Sequence, residues 1–560
     1  MIMKIPKIIY SLAAVMGLLL MSCEDLSEVN ENPNSPEEVS ANYIMSYVLT
    51  HSARAYYALG AEGSDLSGAM QYIQMGTNEG ATKINQYGWS AASWSEYYNI
   101  LKNNDLMYQA AVRDNNRFFQ AIALTMKSFV FGLMTDLFGD IPYSEALQAA
   151  SEQYYPKYDS QLDVYKGILT DLKTASALLG SLGATDVVSA GSDVLYGGKA
   201  ANWQKFANAL RMRYALRLSA KKAEAAAAGI DIVAEFKDAA SATFTANTDD
   251  ASLAFIGTTR DNSTTGGLLN ASNPLYYIKP SKPFIDKLTA LGDPRRDRWF
   301  QPVLNKWDVK TTSASDKTVT NAFGETFTVK YMPAKPAANV DTSLYVGLPV
   351  GLAIVDATSY NKGDDGTAYN PERSPYISFL HNRYRTNTEA YVKMNLITYA
   401  EVEFMLAEAA LDAGWGISGT AENHYKSAVK ASMDKYNAQV ANGFSFEKYY
   451  AQNAVSLASA SNKLERISEQ KWIAGWLGIE PWFHWRRTGF PALKTGPAAQ
   501  FGAAIPVRFV YPIANADVKY LVNYNAAVEK LETTSFVPAG QSKDHQYSKM
   551  WLLKGTSAPW

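Results

Sequence analysis

Cysteine is nearly missing from this chain: Cys23 is the only one in 560 residues. With one thiol there is no internal disulfide and no Cys-based zinc site. Histidine is almost as scarce, the five being His51, His381, His424, His484 and His545. No two are close together, and neither His-Glu-x-x-His nor His-x-His occurs, which removes the usual sequence grounds for a metallohydrolase. A Gly-x-Ser-x-Gly elbow and a Walker loop are missing too, so an esterase-type serine and a bound nucleotide lack support. A Ser-His-Asp triad stays open, because its members are separated along a chain. Basic residues are not in excess: 52 Lys and Arg against 54 Asp and Glu leave a net charge of −2, without the basic stripe that nucleic acid demands. No cofactor, no metal and no nucleic-acid partner is expected.

Long apolar runs are lacking as well, except at the start. Lys4 and Lys7 precede an apolar stretch at 8–20 that is too short to span a bilayer comfortably. Leu20-Met21-Ser22-Cys23 follows, the form of a bacterial lipobox, in which the cysteine thiol takes the lipid and becomes the mature N-terminus. Loss of Lys4 and Lys7 with the leader takes the net charge from −2 to about −4. A lipidated Cys23 anchors the chain to a membrane without a spanning helix. Residues 24–40, with Asn32-Pro33-Asn34-Ser35-Pro36, read as a tether.

What the chain has in surplus is aromatic: 35 Tyr, 22 Phe and 12 Trp. Four of the tryptophans, Trp472, Trp476, Trp482 and Trp485, fall in 466–491. Ile467, Ile473 and Leu477 with Trp472 and Trp476 recur at helical spacing, so that stretch reads as a helix capped by Gly478. A second helix over 480–487 is stopped by Gly489 and Pro491. Helix pairs are expected earlier too: 94–112 with 118–137, 164–179 with 203–220, and 399–413 with 422–436. Gly139 and Pro142 stop the second of these helices, and Thr398 with Glu401 forms a capping-box signature. Between them, 326–331 alternates with Phe327, Val329 and Tyr331 on one face after a turn at Gly324. The fold class is therefore mainly α, a superhelical scaffold of recurring helix pairs with a loop-rich lobe that contains short β-hairpins. The expected divisions are a leader at 1–22, a tether at 23–40, helical scaffold at 41–257, a loop-rich variable lobe at 258–395 and helical scaffold at 396–560.

Several segments, in order, resemble the SusD/RagB family of outer-membrane lipoproteins, and its SusD-like branch in particular. They are Phe138-Gly139-Asp140-Ile141-Pro142-Tyr143, Asn273-Pro274, Asp293-Pro294-Arg295, and Tyr345-Val346-Gly347-Leu348-Pro349. Thr398-Tyr399-Ala400-Glu401 leading to Ala407-Glu408-Ala409 follows, then Gln470-Lys471-Trp472 through Arg486-Arg487-Thr488-Gly489 to Pro491, and finally Pro506-Val507-Arg508 and Tyr511-Pro512. The resemblance covers essentially the whole mature chain. It implies about four helix pairs of tetratricopeptide type and a surface-exposed, lipid-anchored, non-catalytic protein of the outer membrane. Such a protein captures oligosaccharide or polysaccharide fragments, or in some members peptides, and delivers them to a SusC-like TonB-dependent transporter. Glu24 and Asp25 after Cys23 are similar to the family's surface-export signal.

The rival function is a surface glycoside hydrolase, which needs two carboxylates about 5 to 10 Å apart. Glu401 and Glu408 share a helix face roughly 10.5 Å apart along the axis, but a cap partner and a partner for a basic residue explain them as well. For ligand capture, flat aromatic rings meet the C–H faces of sugars while amides bond the hydroxyls. The stretch 71–98 mixes both and is broken by Gly76, Gly80 and Gly88, so it reads as a loop that offers Tyr72, Asn85, Trp89 and Trp94. A second loop at 260–277 offers Asn262, Asn273, Tyr276 and Tyr277. The four tryptophans of 466–491 are expected to be core, with Arg486 and Arg487 locking the turn that follows them.

Overall fold

The structure, a computed structural model, describes residues 39–60, 65–76, 81–183, 186, 190–256, 278–334, 340–362, 374–386, 391–502, 504–512, 518–556 and 558–559. Cys23, most of the tether, and Asn262, Asn273, Tyr276 and Tyr277 lie outside the described residues. Residues 41–560 form one compact unit.

Among the described residues, the helices of nine residues or more are α1 (Ala41–Ala58), α2 (Ser95–Arg113), α3 (Arg117–Phe138), α4 (Gln161–Leu179), α5 (Ala200–Arg217), α6 (Ile232–Ala240), α7 (Lys282–Ala290), α8 (Tyr399–Ala409), α9 (Ala421–Lys435), α10 (Lys463–Ala474), α11 (Glu480–Thr488) and α12 (Val518–Glu529). The expected pairs are all present: α2 with α3, α4 with α5, α8 with α9 and α10 with α11. They are stacked as well as paired, since α1 packs on α2, α3 on α4, and α8 on both α5 and α10. The helix α3 is long and apolar enough to cross a membrane. It is the core instead, buried from Phe118 to Phe138 on almost every side because neighbouring helices flank it on several faces.

Local chemistry sets the helix ends. The side chains of Asn116, Ser160, Thr398, Thr420 and Asn462 each accept an N–H of the first turn of α3, α4, α8, α9 and α10. Thr398 accepts the Glu401 N–H at 3.2 Å, but the Glu401 carboxylate turns to Arg213 rather than back to the cap, so half of the expected box forms. Gly139 (φ +102°) and Gly489 (φ +76°) end α3 and α11 as expected. Gly478 does not end α10. That helix stops at Ala474, and Gly475 lies so close to Pro481 that an added Cβ would sit 2.4 Å from the proline ring. The left-handed residue that follows is Leu477 (φ +56°). Gly414, Gly416 and Gly419 spell Gly-x-Gly-x-x-Gly between α8 and α9, where no strand precedes it, so it is a helix–helix connection and no dinucleotide loop.

The strands are short: β1 (Ile73–Met75), β2 (Ala251–Ala254), β3 (Ile278–Pro280), β4 (Phe300–Gln301), β5 (Asn305–Asp308), β6 (Ser315–Thr320), β7 (Thr326–Pro333), β8 (Phe379–Leu380) and β9 (Lys393–Ile397). The expected hairpin is β6–β7, with Gly324 at φ +77° in its turn and β5 added in parallel on the other side of β7. Val329 of β7 is buried and Thr328 and Lys330 are exposed, as the alternation requires. β1 pairs with β3, β4 with β8, and β2 with β9, all antiparallel. Residues from 41–257 and from the expected variable lobe are thus joined by strand pairing, as β1–β3 and β2–β9 show.

A tyrosine-lined cleft as candidate functional site

The stretch 71–98 is less of an open loop than its composition implies. Residues 71–76 are buried, and β1 within them is held by β3. Tyr72 is fully buried, packs against Phe284, Trp472 and Trp476, and donates its hydroxyl to the Trp472 carbonyl. Asn85 is fully buried too: it accepts the Met75 N–H at 2.8 Å and donates to the Met75 carbonyl at 2.8 Å, as an extra strand partner would. Both side chains serve the interior and show no face to solvent. Trp89 is half-buried and stacked on Phe509 at 4.7 Å beside Trp482. Trp94 is half-buried among Tyr98, Phe138, Tyr158 and Tyr511. Exposed Ser93 and Ser95 flank it.

A cleft lies where α1, β9, α8, α9 and the α10–α11 turn converge. Its aromatic walls are the half-buried Tyr57 together with Tyr56, Tyr384, Tyr391, Tyr436 and Trp476, which are each only 4–5% exposed. α1 ends in the tyrosine pair, and Tyr57 meets Phe255, the residue after β2, edge-on at 5.1 Å. Tyr391 and Tyr436 lie 5.3 Å apart, and Trp476 donates its indole N–H to the Tyr384 hydroxyl at 2.7 Å. Burial pushes the phenols of Tyr384 and Tyr436 above the usual range, so both stay neutral hydrogen-bonding groups at ordinary pH.

The polar rim is built by strand pairing. Asn395 of β9 accepts from Ser252 of β2 at 2.7 Å and from Lys435 at the end of α9 at 2.7 Å. Asp250 accepts the Tyr399 N–H at 2.7 Å and pairs with Lys435 at 2.8 Å, which fixes β2, the start of α8 and the end of α9 to one another.

The floor carries Glu401 and Glu480. Arg213 of α5 holds both Glu401 oxygens at 2.9 Å, reaches Glu480 at 3.3 Å and donates to the Leu396 carbonyl at 2.7 Å. Tyr56 donates to Glu480 at 3.0 Å, and Arg217 bridges Glu480 to Asp136. Burial raises the Glu401 pKa, against the pull of Arg213. The sequence pair Glu401–Glu408 is not brought together for chemistry, because Glu408 pairs with Arg487 at 2.5 Å and does not line the cleft. A general acid must present an oxygen to its substrate, whereas the Glu401 and Glu480 oxygens are engaged by guanidiniums and a phenol.

The four tryptophans of 466–491 are buried. Trp472 donates to the Met70 carbonyl at 2.8 Å and Trp482 to the Pro506 carbonyl at 2.9 Å. Arg486 bonds the Val507 carbonyl at 2.7 Å. Asp293-Pro294-Arg295 is a buried turn closed by an ion pair at 2.6 Å. Trp476 does both jobs: it stacks in the core on Phe284 and Trp299, and it lines the cleft. The cleft tyrosines escaped the sequence reading because they come from separate stretches, and Tyr56-Tyr57 alone among them stands as a pair.

A family model for SusD-like proteins, described as starch-binding and associating with the outer membrane, matches residues 33–512. Among solved structures, a SusD homologue from Bacteroides fragilis NCTC 9343 is 22% identical, with 92% of this chain and 100% of that chain covered and a TM-score of 0.69. A Bacteroides vulgatus ATCC 8482 protein, described as a candidate outer-membrane protein for nutrient binding, is 25% identical over 92% and 100%, with a TM-score of 0.68. A chitin-binding SusD homologue from Flavobacterium johnsoniae is 20% identical over 92% and 98%, with a TM-score of 0.66. A search of curated proteins found no match.

Proposed function

The chain belongs to the SusD-like family of starch-binding proteins that associate with the outer membrane, and from that premise we propose that it captures glycan fragments in the tyrosine-lined cleft without breaking a bond. The lipidated Cys23 tethers it to the outer membrane on the outer surface of the cell, and a SusC-like TonB-dependent transporter receives the ligand. One observation carries this reading: the cleft has aromatic walls from Tyr57, Tyr391, Tyr436 and Trp476, while both carboxylates on its floor are held by arginines. Aromatic plates with fixed polar groups at the rim are what a sugar ring needs, and carboxylates saturated by guanidiniums are not what hydrolysis needs.

The test is binding to a panel of starch, chitin and pectin oligosaccharides by calorimetry, with reducing ends measured alongside. Tyr57 is half-buried at the end of α1, so Tyr57→Ala is expected to weaken capture roughly tenfold, the scale of a lost aromatic contact of ~1 to 1.5 kcal/mol. Its unfolding midpoint should barely move. Unchanged affinity with an intact fold would remove the cleft from the site. Release of reducing ends that a single carboxylate change abolishes would overturn the non-catalytic reading, and capture of peptides but no glycan would overturn the ligand class.

A further inference from the structure

Lys471 is the charged group of the cleft that the interior leaves unanswered. It is 8% exposed, lines the cleft with Glu401 and Glu480, and its side chain makes no hydrogen bond or ion pair among the described residues. The guanidiniums behind it are matched. Arg213 and Arg217 of α5 answer Glu401, Glu480 and Asp136, and Arg487 of α11 answers Glu408. With Arg486 beside Asp136, four guanidiniums meet four carboxylates, and the Lys471 ammonium is a surplus buried cation. His484 of α11 does not offset it: burial pushes its imidazole far down, so it is neutral. At the rim, Lys393 is half-buried and its side chain also makes no hydrogen bond or ion pair among the described residues, whereas Lys435 is taken by Asp250 and Asn395.

A buried ammonium that shares its nearest carboxylates, Glu408, Glu401 and Glu480, with guanidiniums is costly, and an anionic group entering the cleft would give it a partner of its own. We propose that the cleft selects an acidic glycan, an oligosaccharide bearing a uronic acid, whose carboxylate pairs with Lys471 while Lys393 attracts it at the rim. This rests on the reading of the cleft as the glycan site. The flat walls of Tyr57, Tyr391 and Tyr436 favour a sugar over an acidic peptide, because a pyranose carries its carboxylate on a ring that can stack at the same time. Burial also lowers the Lys471 pKa, with Glu408 and Glu401 pulling it back in part. A ligand carboxylate stabilises the ammonium, so binding is accompanied by proton uptake wherever part of the free protein carries the neutral amine.

The experiment compares tetragalacturonide with its fully methyl-esterified form, which keeps the ring and the length and removes the charge. Calorimetry on the mature chain in two buffers of different ionisation enthalpy reads affinity and protons taken up together. The acid is expected to bind roughly tenfold to a hundredfold more tightly than the ester, the scale of a hydrogen bond to a charged group. Lys471→Met should lose that preference and the proton uptake while keeping the ester. Lys393→Met alters a half-exposed side chain, so its folding is not at issue, and it should lose part of the preference. Equal binding of acid and ester by the unaltered chain overturns the inference, as does a preference that survives Lys471→Met, or capture of tetraglutamate with the same dependence on Lys471. If a neutral glycan is held in a Tyr57-dependent way with no acid preference, this inference falls and the glycan cleft stands. If no glycan of either kind is held, both fall.

Discussion

Trp482 tests whether the tryptophan-rich stretch is scaffold. Its side chain is fully buried. The ring touches Phe483, Phe509 and Trp89, and its N–H donates to the Pro506 carbonyl at 2.9 Å. Arg486 lies 4.1 Å from the ring centroid, and its Nε and one terminal nitrogen have no other partner among the described residues. Truncation of a buried aromatic to alanine costs about 3 to 5 kcal/mol through lost transfer energy and the cavity left behind. The orphaned Pro506 carbonyl adds about 1 to 3 kcal/mol if water cannot reach it, and the lost cation–π contact about 0.5 to 2. Partial collapse of Phe483 and Phe509 into the space takes some of this back. Trp482→Ala should therefore lose at least 3 kcal/mol, a large part of the ~5 to 15 kcal/mol that holds a typical domain. Urea unfolding followed by far-ultraviolet circular dichroism measures it, and calorimetry with the cognate glycan gives the second axis. Below the transition, glycan affinity should stay within about twofold, because Trp482 does not line the cleft. A variant that kept its unfolding midpoint but lost the ligand would refute the assignment of this helix to the scaffold.

Two buried or half-buried charge pairs elsewhere in the scaffold give further outcomes. Glu401→Gln removes the charge that answers Arg213 on both oxygens and should cost roughly 3 to 5 kcal/mol of stability, as one-sided loss of a buried ion pair does, with glycan still bound at low temperature. A stable variant with reducing-end release abolished would make Glu401 catalytic instead. The His424 pKa is raised by its hydrogen bond to Glu403, against burial, and its ring nitrogens face Glu403 at 2.7 Å and the Ser418 carbonyl at 2.8 Å. A folded pKa above the unfolded value of about 6.5 contributes stability that is fully present below that value and fades as pH rises through the folded pKa. The stability gap between the unaltered chain and His424→Gln should accordingly be wider at pH 5.5 than at pH 8.5. A gap that widened toward alkaline pH would show that the imidazole is neutral in the fold.

The scaffold was legible because it is written in local, periodic signals. The pairs α2–α3, α4–α5, α8–α9 and α10–α11 fall within a few residues of the spacing-based expectation, and Thr398, Gly139 and Gly489 do at their termini what their side chains permit. Gly478 misled because the end of α10 is decided by a tertiary approach, Pro481 against Gly475, that periodicity does not contain. The same limit applied to Tyr72 and Asn85. Their neighbours Gly76 and Gly80 suggested an open loop, but β1 is paid for by β3, about two hundred residues away, and a strand so paired buries its side chains. The cleft itself was the least legible part, since its walls come from the end of α1, the start of β9, the end of α9 and the α10–α11 turn.

Trp476 and Glu480 explain why scaffold and cleft meet where they do. Trp476 stacks on Phe284 and Trp299 and also lines the cleft, and Glu480 starts α11 while holding Tyr56, Arg213 and Arg217. The turn between α10 and α11 is short, and its Trp476, Leu477 and Ile479 are buried while also lining the cleft, so cleft and core share these side chains. A change at Trp476 must therefore act on stability and capture together, whereas Tyr57 and Lys393 stand on the open side and can be altered for binding alone. The tryptophans cluster in 466–491 because this segment has to fill the last helix pair; one of them also finishes the cleft that the tyrosines line.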